Sequence, residues 1–220
     1  MKCLKKIICV LLSVIILLNS VYAFYEGVED EYTGEYAVET TASVGVPNLN
    51  AKSAIVYDVT YGRILYEKNA KERRANASTT KMITAMVAYE NGDLNDIVNI
   101  SQKSANTGGA SINLRKDDKI LLDDLIKGLL IRSGNDASVA IAEHISGNVE
   151  AFSDLMNEKA SEIGAKDTHF ITPHGLDIEG HYSTAYDLAL IASRFLEIPY
   201  LAEIVSKKTT DIVVNGNTRT

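Results

Sequence analysis

The sequence has only two cysteines, Cys3 and Cys9, and both lie within its first 23 residues. Those residues (1–23) have the pattern of a secretory signal peptide. Three lysines precede a twelve-residue apolar run at 7–18, and small residues at 21 and 23 suit cleavage before Phe24. A retained membrane anchor is the alternative, although twelve apolar residues are short for a span. The mature chain is therefore predicted to be exported, extracytoplasmic and held together without disulfides.

Positive charge is also scarce. Lysine and arginine number 22 against 29 aspartates and glutamates, which gives a formal net charge of −7. Loss of the three lysines of the signal peptide would make this charge about −10. So acidic a chain has little with which to neutralise phosphates, and we expect no nucleic-acid partner. Residues 24–50 hold six acidic side chains and little apolar periodicity, so they are predicted to form an acidic, flexible leader.

The folded domain is predicted to span residues 51–220. Runs of β-branched and aromatic residues at 53–58 and 63–67 flank Tyr61-Gly62 and indicate a hairpin. Helical patterns or capping signals mark five segments: 81–90, 121–131, the residues after Asp136, 149–163 and the residues after Thr184. Strand character returns at 209–214. This order predicts an α/β (α+β) domain in which a helical cluster packs against an antiparallel sheet built from both chain ends.

A serine and a lysine three residues apart, Ser78 and Lys81, carry the main chemical signal. A serine hydroxyl is a weak nucleophile until an adjacent base removes its proton, and a lysine one helical turn away can be that base. The helix after Ser78 is apolar on nearly every face, so Lys81 is expected to be buried, which lowers the pKa of its amine. A helix beginning at Ser78 would also direct backbone N–H groups at an oxyanion. A capping serine with a solvated lysine is the alternative, since chance supplies about one such spacing in this composition.

A second hydroxyl and an amide follow at Ser133-Gly134-Asn135. A helix–helix loop of ordinary composition is the alternative for this tripeptide taken alone. Combined with Ser78 and Lys81, it supplies a hydroxyl that can relay protons and an amide that can hold a substrate carbonyl.

Several long stretches, in order, resemble the low-molecular-mass penicillin-binding proteins, the serine-type D-alanyl-D-alanine carboxypeptidases (peptidase family S11). They are Tyr61–Ala70, Ala77–Met82, Leu129–Ala137, Pro173–Asp177 and His181–Leu188. Ser-x-x-Lys together with Ser-x-Asn belongs to the motif set of penicillin-recognising enzymes. The resemblance runs from about residue 51 to residue 220 and implies the β-lactamase/DD-peptidase-like fold.

The resemblance also implies a role for each motif residue. Ser78 would be the nucleophile that forms an acyl ester, and Lys81 the general base. Ser133 would shuttle a proton to the leaving group, and Asn135 would bind the substrate backbone. The implied reaction removes the terminal D-alanine from peptidoglycan stem pentapeptides in the cell wall, and β-lactams would acylate the same serine. No metal or organic cofactor is implied, and the sequence makes no prediction about membrane attachment.

The sequence departs from the family pattern at two places. Asn76 stands where the family often has proline, and the Lys-Thr-Gly motif that completes the set does not occur in these 220 residues. The strand that carries this motif would supply a lysine for the substrate carboxylate and a second oxyanion donor, whose loss costs about 2.7–4 kcal/mol in the transition state. The domain is therefore expected to be incomplete at its C-terminus, and a chain ending at Thr220 to be poorly folded and almost inactive.

Two other functions remain open on the sequence. A class A-like β-lactamase shares the serine and lysine but needs a carboxylate to activate water, for which Glu143, Glu150 and Glu162 are the candidates. A non-catalytic wall-binding pseudoenzyme is the other alternative.

Three histidines, His169, His174 and His181, lie within thirteen residues. A metal site is not expected there, because the spacings between these histidines fit no zinc pattern. Local hydrogen bonds are predicted for them instead.

Overall fold

The computed structural model describes residues 48–220. The predicted signal peptide and residues 24–47 of the predicted leader lie outside the described residues. No helix within 48–220 is both long and apolar enough to cross a membrane.

The described residues form short strands near both ends and in the first half of the chain, and a run of helices between the fourth strand and the fifth. Its strands are β1 (Ala54–Asp58), β2 (Arg63–Lys68), β3 (Ile97–Asn99), β4 (Lys119–Leu121), β5 (Ile212–Val214) and β6 (Asn217–Arg219). Its helices are α1 (Lys81–Asn91), α2 (Gln102–Ala105), α3 (Leu122–Ile131), α4 (Asn135–Ser146), α5 (Val149–Ile163), α6 (Ala185–Leu196) and α7 (Pro199–Val205). A 3₁₀ turn at Ala77–Thr80 directly precedes α1.

The strands form two separate antiparallel sheets. β1 pairs with β2 as the predicted hairpin, and β3, β4, β5 and β6 follow one another in the second sheet. A single sheet built from both chain ends, as the sequence suggested, is therefore not formed within residues 48–220. The reason is that the C-terminal strands are bound to the middle of the chain. The Val213 backbone N–H donates to Asp124 Oδ2 at 2.9 Å, and the Asn215 N–H donates to the Lys119 carbonyl at 2.9 Å.

The core is built around α1. This helix contacts α3, α4, α5 and α6, and its residues from Ile83 to Ala88 are at most 1 % exposed. The apolar helix predicted at 81–90 is confirmed, and it ends at Gly92 as expected. A helix surrounded by other helices has no polar face, which explains why its sequence is apolar nearly all round.

Two helix starts follow the expected capping chemistry. The Asn148 side chain accepts a hydrogen bond from Ala151 N at 2.8 Å at the start of α5, and Gly164 ends that helix with φ 90°. The Thr184 hydroxyl accepts from Asp187 N at 3.0 Å, which forms one half of the predicted capping box. The other half is missing, because the Asp187 carboxylate accepts instead from the Asp167 N–H at 2.7 Å.

The expected cap of α4 is wrong. Gly134 occupies the N-cap position, and Asp136 lies inside the first turn of the helix. The Asp136 carboxylate is fully buried and accepts from Ser111 Oγ at 2.6 Å and from the backbone N–H groups of Ile112 and Leu114 at 3.1 and 3.0 Å. It therefore anchors the 111–114 segment to α4.

The cap of α5 gives a direct test of the fold. Asn148→Ala is expected to lower the free energy of unfolding by about 1 kcal/mol, because an N–H at the helix start loses its acceptor. Asn148→Ser retains a capping oxygen and should stay within a few tenths of a kcal/mol of the parent, roughly as capping scales indicate. Urea denaturation measures both, and equal midpoints for the two variants would contradict the capping role.

Candidate active site

A cavity of about 470 Å³ lies where α1, α3, α6 and α7 meet. Three of the predicted site residues line it, namely Ser78, Lys81 and Ser133, and most of its remaining wall is apolar. The other lining residues are Thr79, Met82, Leu129, Leu130, Ala192, Phe195, Leu196 and Val205. A cavity of this size and lining, with a few convergent polar groups, is typical of a small-ligand site.

Ser78 is exposed on the 3₁₀ turn rather than at the start of an α-helix, so the predicted helix start is corrected to Lys81. The Thr79 N–H donates to the Asn76 carbonyl three residues back at 3.2 Å, which is the 3₁₀ pattern. Ala77 has a left-handed backbone with φ 44°, an uncommon conformation for a residue with a side chain. The turn thus places the Ser78 hydroxyl in an accessible position beside the cavity.

Lys81 is only 3 % exposed, as the sequence predicted. Its Nζ donates to Asn135 Oδ1 and to the His174 carbonyl, both at 2.8 Å, and lies 3.3 Å from Ser78 Oγ. Burial lowers the pKa of the Lys81 amine to about 8, because an ammonium ion is poorly solvated there. In the neutral amine, the two oxygen acceptors can hold both N–H bonds, which leaves the lone pair directed at Ser78 Oγ.

Ser133 lies beside Ser78. Its Oγ donates to Ser78 Oγ at 2.9 Å, and its backbone is also left-handed, with φ 56°. Strained residues of this kind persist where the surrounding structure holds them, often at functional sites. Here the strain is located at the junction of α3 and α4, and it points the Ser133 hydroxyl at Ser78.

Asn135 is the first residue of α4 and is almost fully buried. Its Oδ1 accepts from Lys81 Nζ, and its Nδ2 donates to the Gly108 carbonyl at 2.8 Å. An amide nitrogen carries two hydrogens, so one remains for a further acceptor. The structure therefore brings all four predicted site residues together, and it adds a contact to Lys81 that the expected role of Asn135 did not include.

Two contributors to the site were not identified from the sequence. The first is the backbone carbonyl of His174, which no residue-type pattern can reveal. The second is Gly175, which lies so close to the turn that carries Ser78 that a Cβ atom there would be 1.9 Å from the Ala77 carbonyl oxygen. The available signal was the His174-Gly175 pair within one of the stretches that resemble the carboxypeptidases.

The histidines make the local hydrogen bonds that were predicted. His169 Nδ1 is 2.8 Å from the Gly180 carbonyl, His174 Nδ1 accepts from Leu176 N at 3.1 Å, and His181 Nδ1 accepts from Ile171 N at 3.0 Å. Within residues 48–220, no group of three or more histidine, cysteine or acidic side chains is placed to hold a metal ion.

Two of the carboxylates considered for a β-lactamase mechanism are engaged elsewhere. Glu143 accepts from Ser101 Oγ at 2.6 Å, and Glu162 pairs with Lys159 at 2.5 Å. No carboxylate is among the described residues that line the cavity at Ser78.

Comparison with known proteins gives a consistent set of matches. The family model for D-alanyl-D-alanine carboxypeptidase matches residues 39–220. The chain is 39 % identical over 199 residues to the D-alanyl-D-alanine carboxypeptidase DacF of Bacillus subtilis, covering 88 % of this chain and 48 % of that protein. It is also 39 % identical over 184 residues to DacA of Escherichia coli, covering 78 % and 45 %. The chain thus spans about half the length of these curated relatives.

Solved structures agree with this result. The D-alanyl-D-alanine carboxypeptidase of Mycobacterium tuberculosis matches with a TM-score of 0.76 and 30 % identity, covering 81 % of this chain and 68 % of that one. A penicillin-binding protein 5 from Haemophilus influenzae matches with a TM-score of 0.71 and 34 % identity, covering 80 % and 53 %. These matches confirm the predicted β-lactamase/DD-peptidase-like fold.

Gly175→Ala tests whether close backbone approach shapes the site. We expect it to reduce the reaction of Ser78 with a fluorophosphonate probe by ~10-fold or more, because displacing a nucleophile by about 1 Å can be that costly. Gly164→Ala is the matched control. Its φ of 90° resembles the 82° at Gly175, but nothing lies within 4 Å of the added Cβ. It reports backbone strain alone, about 1–2 kcal/mol of stability. Equal probe reactivity in the two variants would contradict the claim.

Proposed function

The chain belongs to the D-alanyl-D-alanine carboxypeptidase family, and we propose that it removes the terminal D-alanine from peptidoglycan stem pentapeptides through an acyl ester on Ser78. One observation carries the proposal. A buried lysine amine, held by two oxygen acceptors, lies 3.3 Å from a serine hydroxyl that also accepts a hydrogen bond from Ser133. This arrangement is what an acyl transfer with a serine nucleophile and an amine base requires.

Acylation begins with the neutral Lys81 amine taking the proton of the Ser78 hydroxyl. Ser78 Oγ then attacks the carbonyl carbon of the D-Ala-D-Ala peptide bond. As the C–N bond breaks, Ser133 Oγ gives its proton to the leaving nitrogen and regains one from the Lys81 ammonium. The products are free D-alanine and the peptidyl ester on Ser78.

Deacylation returns the enzyme to its first state. A water molecule attacks the ester carbonyl, and its proton passes to the Lys81 amine. The C–O bond to Ser78 then breaks, Ser78 Oγ recovers a proton, and the shortened peptide leaves as a carboxylic acid. In the proposed mechanism, Asn135 uses its remaining Nδ2 hydrogen on a substrate carbonyl during both steps. These steps need no metal and no cofactor.

The same chemistry accounts for reaction with β-lactams, whose strained amide presents an equivalent carbonyl to Ser78. Peptidoglycan lies outside the cytoplasm, which agrees with the signal peptide proposed for residues 1–23. The engagement of Glu143 and Glu162 away from the cavity favours the carboxypeptidase over a class A-like β-lactamase. Turnover distinguishes the carboxypeptidase from a wall-binding pseudoenzyme.

In the protein with the Lys-Thr-Gly strand present, Ser78→Ala is expected to abolish D-alanine release from a pentapeptide ending in D-Ala-D-Ala, because the acyl ester can no longer form. Thr79→Ala removes the neighbouring hydroxyl of the same turn and should retain most of the activity. Chromatographic assay of free D-alanine measures both. An active Ser78→Ala variant, or an inactive parent protein, would contradict the proposed function.

The pH dependence of acylation follows from the lowered pKa of Lys81. The rate of Ser78 acylation by a fluorescent penicillin should rise as the pH passes through about 8 and then level off, because the neutral amine is the active form. Between that value and the ordinary 10.5, the unfolded chain binds more protons at this site than the native one. The contribution of Lys81 to stability therefore rises with pH across the same window. An acylation rate that keeps rising towards pH 10.5 would show that the pKa of Lys81 is not lowered.

A further inference from the structure

The turn that carries Ser78 has one local side-chain hydrogen bond, from Thr79 Oγ1 to the Asn76 carbonyl, but no N-cap side chain. Neither Asn76 before the 3₁₀ turn nor Thr80 before α1 makes a side-chain capping hydrogen bond. Ala77, between Asn76 and Ser78, holds the left-handed backbone described above. A strained turn without a local cap persists only if contacts from elsewhere in the fold hold it.

In addition to the contacts from Ser133 and Asn135, several such contacts come from one loop, residues 171–181, here called the histidine loop. Its His181 Nε2 lies 3.0 Å from Thr80 Oγ1, and its Pro173 carbonyl accepts from Thr84 Oγ1 at 2.8 Å. It also supplies the carbonyl that binds Lys81 and the glycine that lies against Ala77. The histidine loop thus contacts the nucleophile turn and the first turn of α1 at four places.

The hydrogen-bonding pattern of His181 fixes its tautomer. Its Nδ1 accepts from the Ile171 backbone N–H at 3.0 Å and lies 3.4 Å from the Thr172 N–H. A nitrogen that accepts from a backbone N–H carries no hydrogen, so the neutral ring has its hydrogen on Nε2. His181 therefore donates to the Thr80 hydroxyl. A single imidazole ring thus links the backbone of the histidine loop to the end of the turn that carries Ser78.

We propose that His181 is a positioning residue that holds the Ser78 turn and Lys81 in register by donating to Thr80 from a neutral imidazole. The inference deepens the proposed acyl transfer and rests on it for its kinetic consequence. Thr80 lies two residues after the nucleophile and directly before the base, so loss of this bond affects both reacting groups together.

The environment of the ring favours its neutral state. His181 is 3 % exposed and packs with its ring at 66° to that of Phe170. Burial lowers the pKa of His181, His169 lowers it further, and Asp177 opposes these effects. His174, whose pKa burial lowers to about 4, is the other titratable ring of the histidine loop. An imidazolium at 181 would carry a hydrogen on Nδ1 and would oppose the Ile171 N–H donor.

Substrate contact does not explain such a role. Thr80 is fully buried and neither residue lines the cavity at Ser78. Variants at either position should therefore lower kcat for D-alanine release while leaving KM close to that of the parent. A residue that merely contributed to folding would lower the amount of active protein instead, and it would leave the kinetics of the folded fraction unchanged.

Three variants of the full-length protein test the proposal. His181→Phe keeps a ring beside Phe170 but removes both hydrogen bonds, and Thr80→Val keeps the shape of Thr80 but removes the hydroxyl. Each is expected to lower the acylation rate by a fluorescent penicillin by ~10-fold or more, from misplacement of the nucleophile. His181→Gln has an amide that can both accept and donate, so it should restore the rate to within about threefold, since it re-forms both hydrogen bonds. If His181→Phe fails to fold, the acylation rate of Thr80→Val decides whether the proposal holds.

A parental rate in Thr80→Val, or a His181→Gln variant as slow as Thr80→Val, would overturn the proposal. Nitrogen NMR of the imidazole gives a readout that is independent of activity. The expected spectrum has hydrogen on Nε2 only at pH 7, with that resonance shifted in Thr80→Val. A ring with hydrogen on Nδ1 would overturn the positioning role. If the parent is not acylated at all, the proposed function fails, and the NMR result still decides the role of His181.

Discussion

The arrangement of the site depends on the hydrogen bonds that the buried amine of Lys81 makes. An ammonium ion loses hydration on burial and is tolerated only where acceptors surround it. Asn135 Oδ1 and the His174 carbonyl supply those acceptors from two different parts of the chain. Their positions require α4 to begin beside α1 and the histidine loop to cross the first turn of α1. The hydrogen bonds of the Lys81 amine thus join three chain segments beside Ser78.

Left-handed backbone conformations occur at or directly before both serines of the site. Ser133 is itself left-handed, and Ser78 follows the left-handed Ala77. Both conformations cost free energy, of the order of 1–3 kcal/mol each. Contacts from elsewhere offset this cost. The Asp136 carboxylate anchors the 111–114 segment to α4 beside Ser133, and the histidine loop holds the turn at Ser78. The rigid helical core behind these loops allows the strained geometry to persist.

The sequence predicted the parts of the fold that have local periodicity. The hairpin, α1 and the fifteen residues of α5 follow from alternation, apolar content and end signals, and their bounds agree with the structure. The strands β3 and β4 have only three residues each, too few for a pattern, and they were missed. Asp136 was predicted to be a helix cap because the sequence shows the residue type but not the direction of the side chain. In the structure its carboxylate accepts hydrogen bonds from the 111–114 segment instead. The four site residues were found by motif, whereas the His174 carbonyl and the His181 contact arise from tertiary packing alone.

The protonation of Lys81 tests the account most directly. Carbon NMR of the lysine side chains in the full-length protein, with Lys81→Arg used to assign the resonance, gives the pKa of this one amine. The account predicts a value of about 8, set by burial between the two oxygen acceptors. A titration at the ordinary 10.5 would mean that the amine is solvated and that the site is not assembled as described.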